Sequence, residues 1–274
     1  PSEQRQALQA LNPRGRLQRL RLEWQPHADA SNWALSTDFN QLAISAWQQV
    51  PGISDLSGSL IMGPQQATIS LDQQNFRLDY PKLFCNRLPI NRLNGVIHLQ
   101  QDSQGWQISS PQLQLDTPDF SSISRFELRQ THDLSPHLSL LTRLNNGQAS
   151  QLRDYLPTTI MDQDLVDWLD NAFDRGQITQ ATALLAGSLD DFLYQEQPTG
   201  NFEVAIQARN MDLHYHPDWP ALHELDASLL FQQNSLNIAL NRGQILDTPI
   251  AQASVQIAHL DPTSPLQVNA RLNG

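Results

Sequence analysis

Apolar and polar side chains alternate with a period of two along most of this chain, which is the pattern of half-buried β-strands. Between Arg16 and Trp24, Leu20, Leu22 and Trp24 fall on one face and Arg19, Arg21 and Glu23 on the other. Trp33, Leu35, Thr37 and Phe39 repeat the pattern after a loop at Pro26, and an irregular connection follows from Gln41 to Gly52. Three stretches then share a longer design. One runs from Pro51 through Leu56-Ser-Gly58-Ser-Leu60 to Leu78-Asp79-Tyr-Pro81. The next runs from Pro89 through Leu93-Asn-Gly95-Val-Ile97 to Leu115-Asp116-Thr-Pro118, and the third from Pro220 through Leu225-Asp-Ala227-Ser-Leu229 to Asp247-Thr-Pro249. The distance from the first leucine to the closing aspartate is 23, 23 and 22 residues. Each unit predicts three short strands, the middle ones at Ala67–Leu71, Trp106–Ile108 and Leu236–Leu240. Asp-x-Pro closes each unit in a turn. Repeated units that stack on their neighbours predict an elongated antiparallel sheet. Alternation continues through Ala183–Leu189, Asn201–Ala208, Met211-Leu213-Tyr215, Val255 and Ile257, and Leu266 to Leu272.

One segment breaks the period. Leu165, Trp168, Leu169 and Phe173 recur at helical spacing, with Asp162 as N-cap, Asp164 in the first turn and Gly176 at the C-terminal end. A shorter helical piece, Gln151 to Leu156, precedes it and is closed by Pro157. The chain therefore reads as one continuous β segment over 1–274, with β units at 1–148 and 177–274 and a helical insertion at 149–176.

Composition narrows the function classes. An apolar fraction of 39% is low against the usual 45–50% or so, and suits a sheet with one wet face. A net charge of −11 leaves no basic stripe for nucleic acid or for an anionic lipid surface. The single cysteine, Cys85, excludes an internal disulfide, and no apolar run reaches the roughly 20 residues of a membrane-spanning helix. Pro1 and the mid-pattern stop at Asn269–Gly274 read as the cut ends of something longer.

Chemistry-bearing motifs are sparse. No glycine-rich phosphate loop, His-Glu-x-x-His helix or Gly-x-Ser-x-Gly elbow occurs. His214 and His216 share a strand face and, with Asp218 or His223, have ligand chemistry for zinc or copper. The simpler reading puts both imidazoles in solvent, with Leu213 and Tyr215 buried. Asp190-Asp191 with Glu196 offers paired carboxylates, yet turns use the same residues for backbone hydrogen bonds. Asp162, Asp164, Asp167, Asp170 and Asp174 lack the calcium-loop spacing. Cys85 lies between Lys82 and Arg87 with no base assigned to it, and reads as a loop thiol. The reading assigns no catalytic residue, no metal and no cofactor.

Tyr155-Leu-Pro157, the helix Leu165-Val-Asp-Trp-Leu-Asp-Asn-Ala-Phe173 and Gly176 resemble the AsmA-like family of bacterial envelope proteins, of AsmA/TamB type. Val50–Gly58, Leu78–Phe84, Leu88–Gly95, Phe202–Val204, Leu213–Leu222 and Leu225–Ala227 fit the same resemblance, which covers the chain from about Leu11 onward. Cys85-Asn86 departs from the pattern. The resemblance implies a strongly bent, U-shaped trough within a long periplasmic protein, held in the inner membrane by a helix absent here. It implies non-enzymatic lipid transport towards the outer membrane. The implied partners are phospholipid acyl chains, the remaining segments of the same chain and envelope proteins at either end, with no nucleic acid.

On that reading the groove is lined by the inward-alternating residues Leu60, Ile69, Leu71, Phe76, Leu78, Ile97, Leu99, Ile108, Leu113, Leu115, Phe202, Val204, Ile206, Leu229, Phe231, Ile238 and Leu240. The helix stripe of Leu165, Trp168, Leu169 and Phe173 caps or gates it. Two competing expectations are a structural envelope module with a packed core, and a glycan-acting enzyme using Asp190 or Asp191 with the tryptophans.

Overall fold

The computed structural model describes residues 2–26, 31–48, 50–132, 134–156, 158–159, 163–190, 200–215, 218–246, 248–259 and 266–272. After helix α1 (Ser2–Leu11) come β1 (Arg14–Pro26), β2 (Ser31–Ile44), β3 (Gly52–Met62), β4 (Gln66–Asp79), β5 (Leu88–Gln101), β6 (Gly105–Asp116), β7 (Ser121–Thr131) and β8 (His137–Gln148). A 3-10 turn (Ala149–Tyr155) and helix α2 (Gln163–Ala172) follow. The chain continues with β9 (Phe173–Ser188), β10 (Asn201–Leu213), β11 (Leu222–Gln232), β12 (Ser235–Ile245), β13 (Thr248–Ile257) and β14 (Leu266–Leu272). The fourteen strands form one antiparallel sheet in sequence order, not closed into a barrel, with β1 and β14 at its edges. The mainly-β antiparallel expectation holds. Contacts divide the chain into two compact units, Pro1–Pro118 with Ile123–Pro136 and Asp154–Ile160, and Asp119–Ser122 with His137–Arg153 and Met161–Gly274.

The repeated units prove to be hairpins of two long strands rather than three short ones. In the first, the predicted strands at Ala67–Leu71 and Phe76–Asp79 are both parts of β4, which pairs with β5 from Gln66↔Gln100 to Leu78↔Leu88. What joins them is a residue in the left-handed region: Asn75 has φ of 55°. Arg19, Gln41, Asp55, Asn146, Asn210 and Glu224 interrupt β1, β2, β3, β8, β10 and β11 in the same way. The pairing shifts register across most of these points, as between Gln18 and Arg21, Phe39 and Leu42, and Ala208 and Met211. Where the register shifts, the interruption is a β-bulge, which bends its strand, raises the local twist and returns the alternation to the same face. Side chains of the next strand satisfy the freed amides. Gln41 N–H donates to Ser57 Oγ at 3.1 Å, Ser57 N–H to Gln73 Oε1 at 3.1 Å, and Asn210 N–H to Asp226 Oδ1 at 3.0 Å.

The insertion differs from the expectation at its C-terminal end. Helix α2 stops at Ala172, and Phe173 opens β9 by pairing with Leu213. Gly176 is therefore a strand residue. Its φ of 132° and a would-be Cβ 2.2 Å from Met211 Sδ leave room for glycine alone. The expected N-cap Asp162 lies outside the described residues, as do Pro157, Asp191, Glu196, His216 and Asp247. So do the side chains of Asp164, Leu165 and Leu169.

Candidate functional site

Strand pairing decides which side chains share a face, because directly opposed residues point to the same side of a sheet. In the first unit one rung reads Leu35–Met62–Ala67–Leu99–Ile108. The next reads Thr37–Leu60–Ile69–Ile97, followed by Phe39–Gly58–Leu71–Gly95–Leu113. Leu93–Leu115, Phe76–Ile90 and Ile53–Leu78–Leu88 continue the series. Gly58 is the small member under a large one: a Cβ there would sit 2.9 Å from Phe39 Cζ. In the second unit the rungs are Leu140–Leu185–Phe202, Thr142–Ala183–Val204–Phe231–Leu236–Ile257 and Leu144–Ala181–Ile206–Leu229–Ile238–Val255–Val268. A fourth, Gly147–Ile178–Ala208–Ala227–Leu240–Ala253, leads to Met211–Leu225.

The ten candidate lining residues of the first unit thus share one face, and the seven of the second share another. The opposite face carries Gln66–Gln100–Gln107, Ser59–Ser70 and Asp72–Asn94–Gln114 in the first unit. In the second it carries Asn145–Gln180–Gln207–Ser228. Neither apolar face is a sealed core. Leu71 and Phe76 are buried, while the other fifteen candidates are half-buried. At the β1 edge Leu22 and Trp24, opposite Leu35 and Trp33, are each 65% exposed.

Each face has one covered end, on the far side of the bulges. In the first unit Phe84 and Tyr155 pack on the cluster of Phe39, Leu56, Leu71, Phe76, Leu88, Ile90 and Leu93. Tyr155 is held there by its neighbours: Asn86 Nδ2 donates to Asp154 Oδ1 at 3.2 Å, Thr159 Oγ1 donates to Lys82 O, and Cys85 Sγ lies 3.3 Å from Thr158 Oγ1. In the second unit Phe173, with Leu213, Leu222, Leu229 and Leu240, packs on Ala149, Ala208, Met211 and Leu225. Trp168 meets Phe173 edge-on at 5.8 Å and Tyr215 at 6.4 Å, and its indole N–H donates to Tyr215 O at 3.0 Å. Among the described α2 side chains the buried ones are Val166 and Ala172, which the helical stripe did not include. Tyr155 and Phe84 were also missed. Both fall in segments that carry the family resemblance, near a proline, but neither signal marks a cap.

The polar candidates separate. His214 Nε2 lies 2.7 Å from Asp174 Oδ2, and His223 Nδ1 lies 3.3 Å from Asp212 Oδ1, so the two imidazoles engage different carboxylates. Among the described residues no three His, Cys, Asp or Glu side chains are placed to hold a metal. Tyr215, expected on the buried face, is 44% exposed because β10 ends at Leu213. Asp190 occupies a turn and its N–H donates to Ser188 Oγ at 3.3 Å. Among the described residues the most extensively bonded charge is Asp212. It accepts from Arg175 Nε and Nη2, from Glu224 N–H at 3.2 Å and from His223. Burial pushes its carboxyl up. The Arg175 hydrogen bond, the Glu224 amide, His223 and the Arg175 charge outweigh that and hold it below the usual carboxylate range. The cluster ties β9, β10 and β11 together through Arg175, Asp212, His223 and Glu224.

A family model for YhdP protein matches residues 1–274. The chain belongs to the YhdP family. It is 27% identical over 224 residues to the intermembrane phospholipid transporter YhdP of Escherichia coli (strain K12). That match covers 82% of this chain and 18% of the relative, so the chain spans less than a fifth of the curated YhdP protein it matches. No solved structure matches. Within this YhdP-family chain, Cys85-Asn86, the departure noted above, forms the loop that docks Asp154 and Thr158. No helix among the described residues is long and apolar enough to cross a membrane.

Proposed function

We propose that this chain is a segment of a non-enzymatic conduit that carries phospholipids between membranes, with acyl chains lying along the two apolar faces. The observation that carries the reading is the series of apolar rungs left half-open in a sheet whose opposite face is amide- and hydroxyl-rich. An open apolar face of this extent calls for a ligand. Acyl chains supply one, each buried methylene contributing about 0.8 kcal/mol. Successive strands lie about 4.8 Å apart, so a chain crossing them meets a similar rung at every step. The lack of directional contacts leaves no deep trap, which favours sliding. The Escherichia coli relative, an intermembrane phospholipid transporter, points the same way. On this reading the segment lies in the periplasm, within a longer protein anchored in the inner membrane, and envelope proteins receive lipid at its ends. Tyr155 with Phe84, and Trp168 with Phe173, act as caps that close one side of each face.

Native mass spectrometry with lipid extraction tests this. Leu60→Asp, Ile97→Asp and Ile206→Asp should abolish co-purifying phospholipid, whereas Ser70→Asp and Gln207→Asp on the opposite face should retain it. A stable, lipid-free monomer that takes up no added phospholipid would replace the conduit with a packed structural module.

A further inference from the structure

The open end of the first unit's apolar face runs into different chemistry. On β6, Trp106 precedes Ile108 by two residues and shares its face, paired with Gln101 as Ile108 is with Leu99. Here the hairpin tips frame an open cavity of about 620 Å3 lined by residues of both faces, among them Trp106 and Gln101 from the apolar side and Gln107 from the polar side. That volume lies within the range of small-molecule sites, roughly 300–1,000 Å3. Two opposite charges belong to its lining. Arg129 Nη2 donates to Gln107 Oε1 at 2.9 Å and to Glu127 Oε1 at 3.2 Å, which orients the guanidinium. Asp102 Oδ1 accepts the N–H groups of Gln104 and Gly105 at 2.7 and 3.0 Å, which fixes the carboxylate in the β5–β6 turn. Trp106 is 40% exposed.

We propose that this cavity is a headgroup subsite for a zwitterionic phospholipid. The phosphodiester lies at Arg129, the ammonium group lies between Asp102 and the Trp106 ring, and the tails lie on the rungs that start at Leu99 and Ile108. The proposal rests on the lipid-conduit reading above. A planar guanidinium suits a phosphate, and an indole face with a carboxylate suits an ammonium ion. A purely anionic headgroup would meet the Asp102 carboxylate, and a neutral sugar would use neither charge. The surrounding primary amides donate and accept without adding charge.

The test loads the full chain from vesicles of dioleoyl phosphatidylethanolamine and, separately, with dioleoylglycerol, which has the same tails and no phosphate; native mass spectrometry reads occupancy. Arg129→Gln should lower phosphatidylethanolamine occupancy about tenfold and leave diacylglycerol unchanged. Asp102→Asn should lower phosphatidylethanolamine and raise phosphatidylglycerol, which lacks the ammonium group and no longer meets a carboxylate. Unchanged phosphatidylethanolamine in Arg129→Gln overturns the subsite and leaves the apolar-face reading standing. If that variant loses both lipids through disturbed folding, retention of phosphatidylethanolamine by Asp102→Asn overturns it instead. A wild-type chain that takes neither lipid overturns both readings.

Discussion

Asp212 shows what a single side chain does in this fold. Its carboxylate is reached from β9 by Arg175 and from β11 by His223 and the Glu224 amide, beside the Asn210 and Glu224 bulges. Replacing Asp212 by Asn should cost about 1–3 kcal/mol in urea unfolding, because the Arg175, His223 and Glu224 donors lose a charged acceptor. The depressed folded-state carboxyl sets the pH dependence. Its stabilisation is fully present above the unfolded value of about 3.9 and is lost as pH falls through the lower folded value. The gap between wild type and Asp212→Asn should therefore be widest near neutrality and close in acid. Gly176→Ala should be destabilising by about 2–4 kcal/mol in the same assay, since the methyl meets Met211 and the backbone is left-handed. At this scale the sequence hid most of the detail. Asp212 looks like any polar strand residue, and its partners are 12 and 37 residues away.

The elements are long bulged strands rather than short straight ones. A strict period of two predicts a break wherever apolar residues are separated by an odd number, as in Leu71 to Phe76 and Ala208 to Met211. The structure bridges these with a left-handed residue and keeps the strand going. The odd spacing was the visible signal, and an Asn, Asp or Gln in mid-strand was its companion. The helical insertion was legible as a helix, but not where it ends. Phe173 continues the helical stripe in sequence, while its pairing with Leu213 commits it to β9. The side chains that pin the insertion are also non-local. Asn86→Ala with Thr159→Ala should speed amide exchange over 154–159 by at least tenfold while leaving β3–β5 protected, because only exposed hydrogen bonds are removed.

At the scale of the molecule, the class and the faces were legible because both follow from repetition. The 23-residue spacing fixes hairpin units, and alternation assigns each residue to a side. The two compact units and the covered end of each face were not legible, because they depend on which long-range contacts form. If the apolar faces hold acyl chains, affinity should rise with tail length. Lengthening both tails of a soluble phospholipid by one methylene should tighten binding by about 0.8–1.6 kcal/mol, read by titration calorimetry, until the open rungs are filled. A flat response would argue for recognition through the headgroup alone.

The bulges also bear on how such a chain changes length over generations. A repeat of the kind that begins at Pro51 and again at Pro89 carries its own bend, and takes its amide caps from the very next strand. Gene duplication of one such 38-residue piece would add two strands, about 10 Å along the hydrogen-bonding direction, already creased at the right place. Neighbouring repeats would need no compensating change. Reach can then evolve in whole steps, as a ladder is extended by sections.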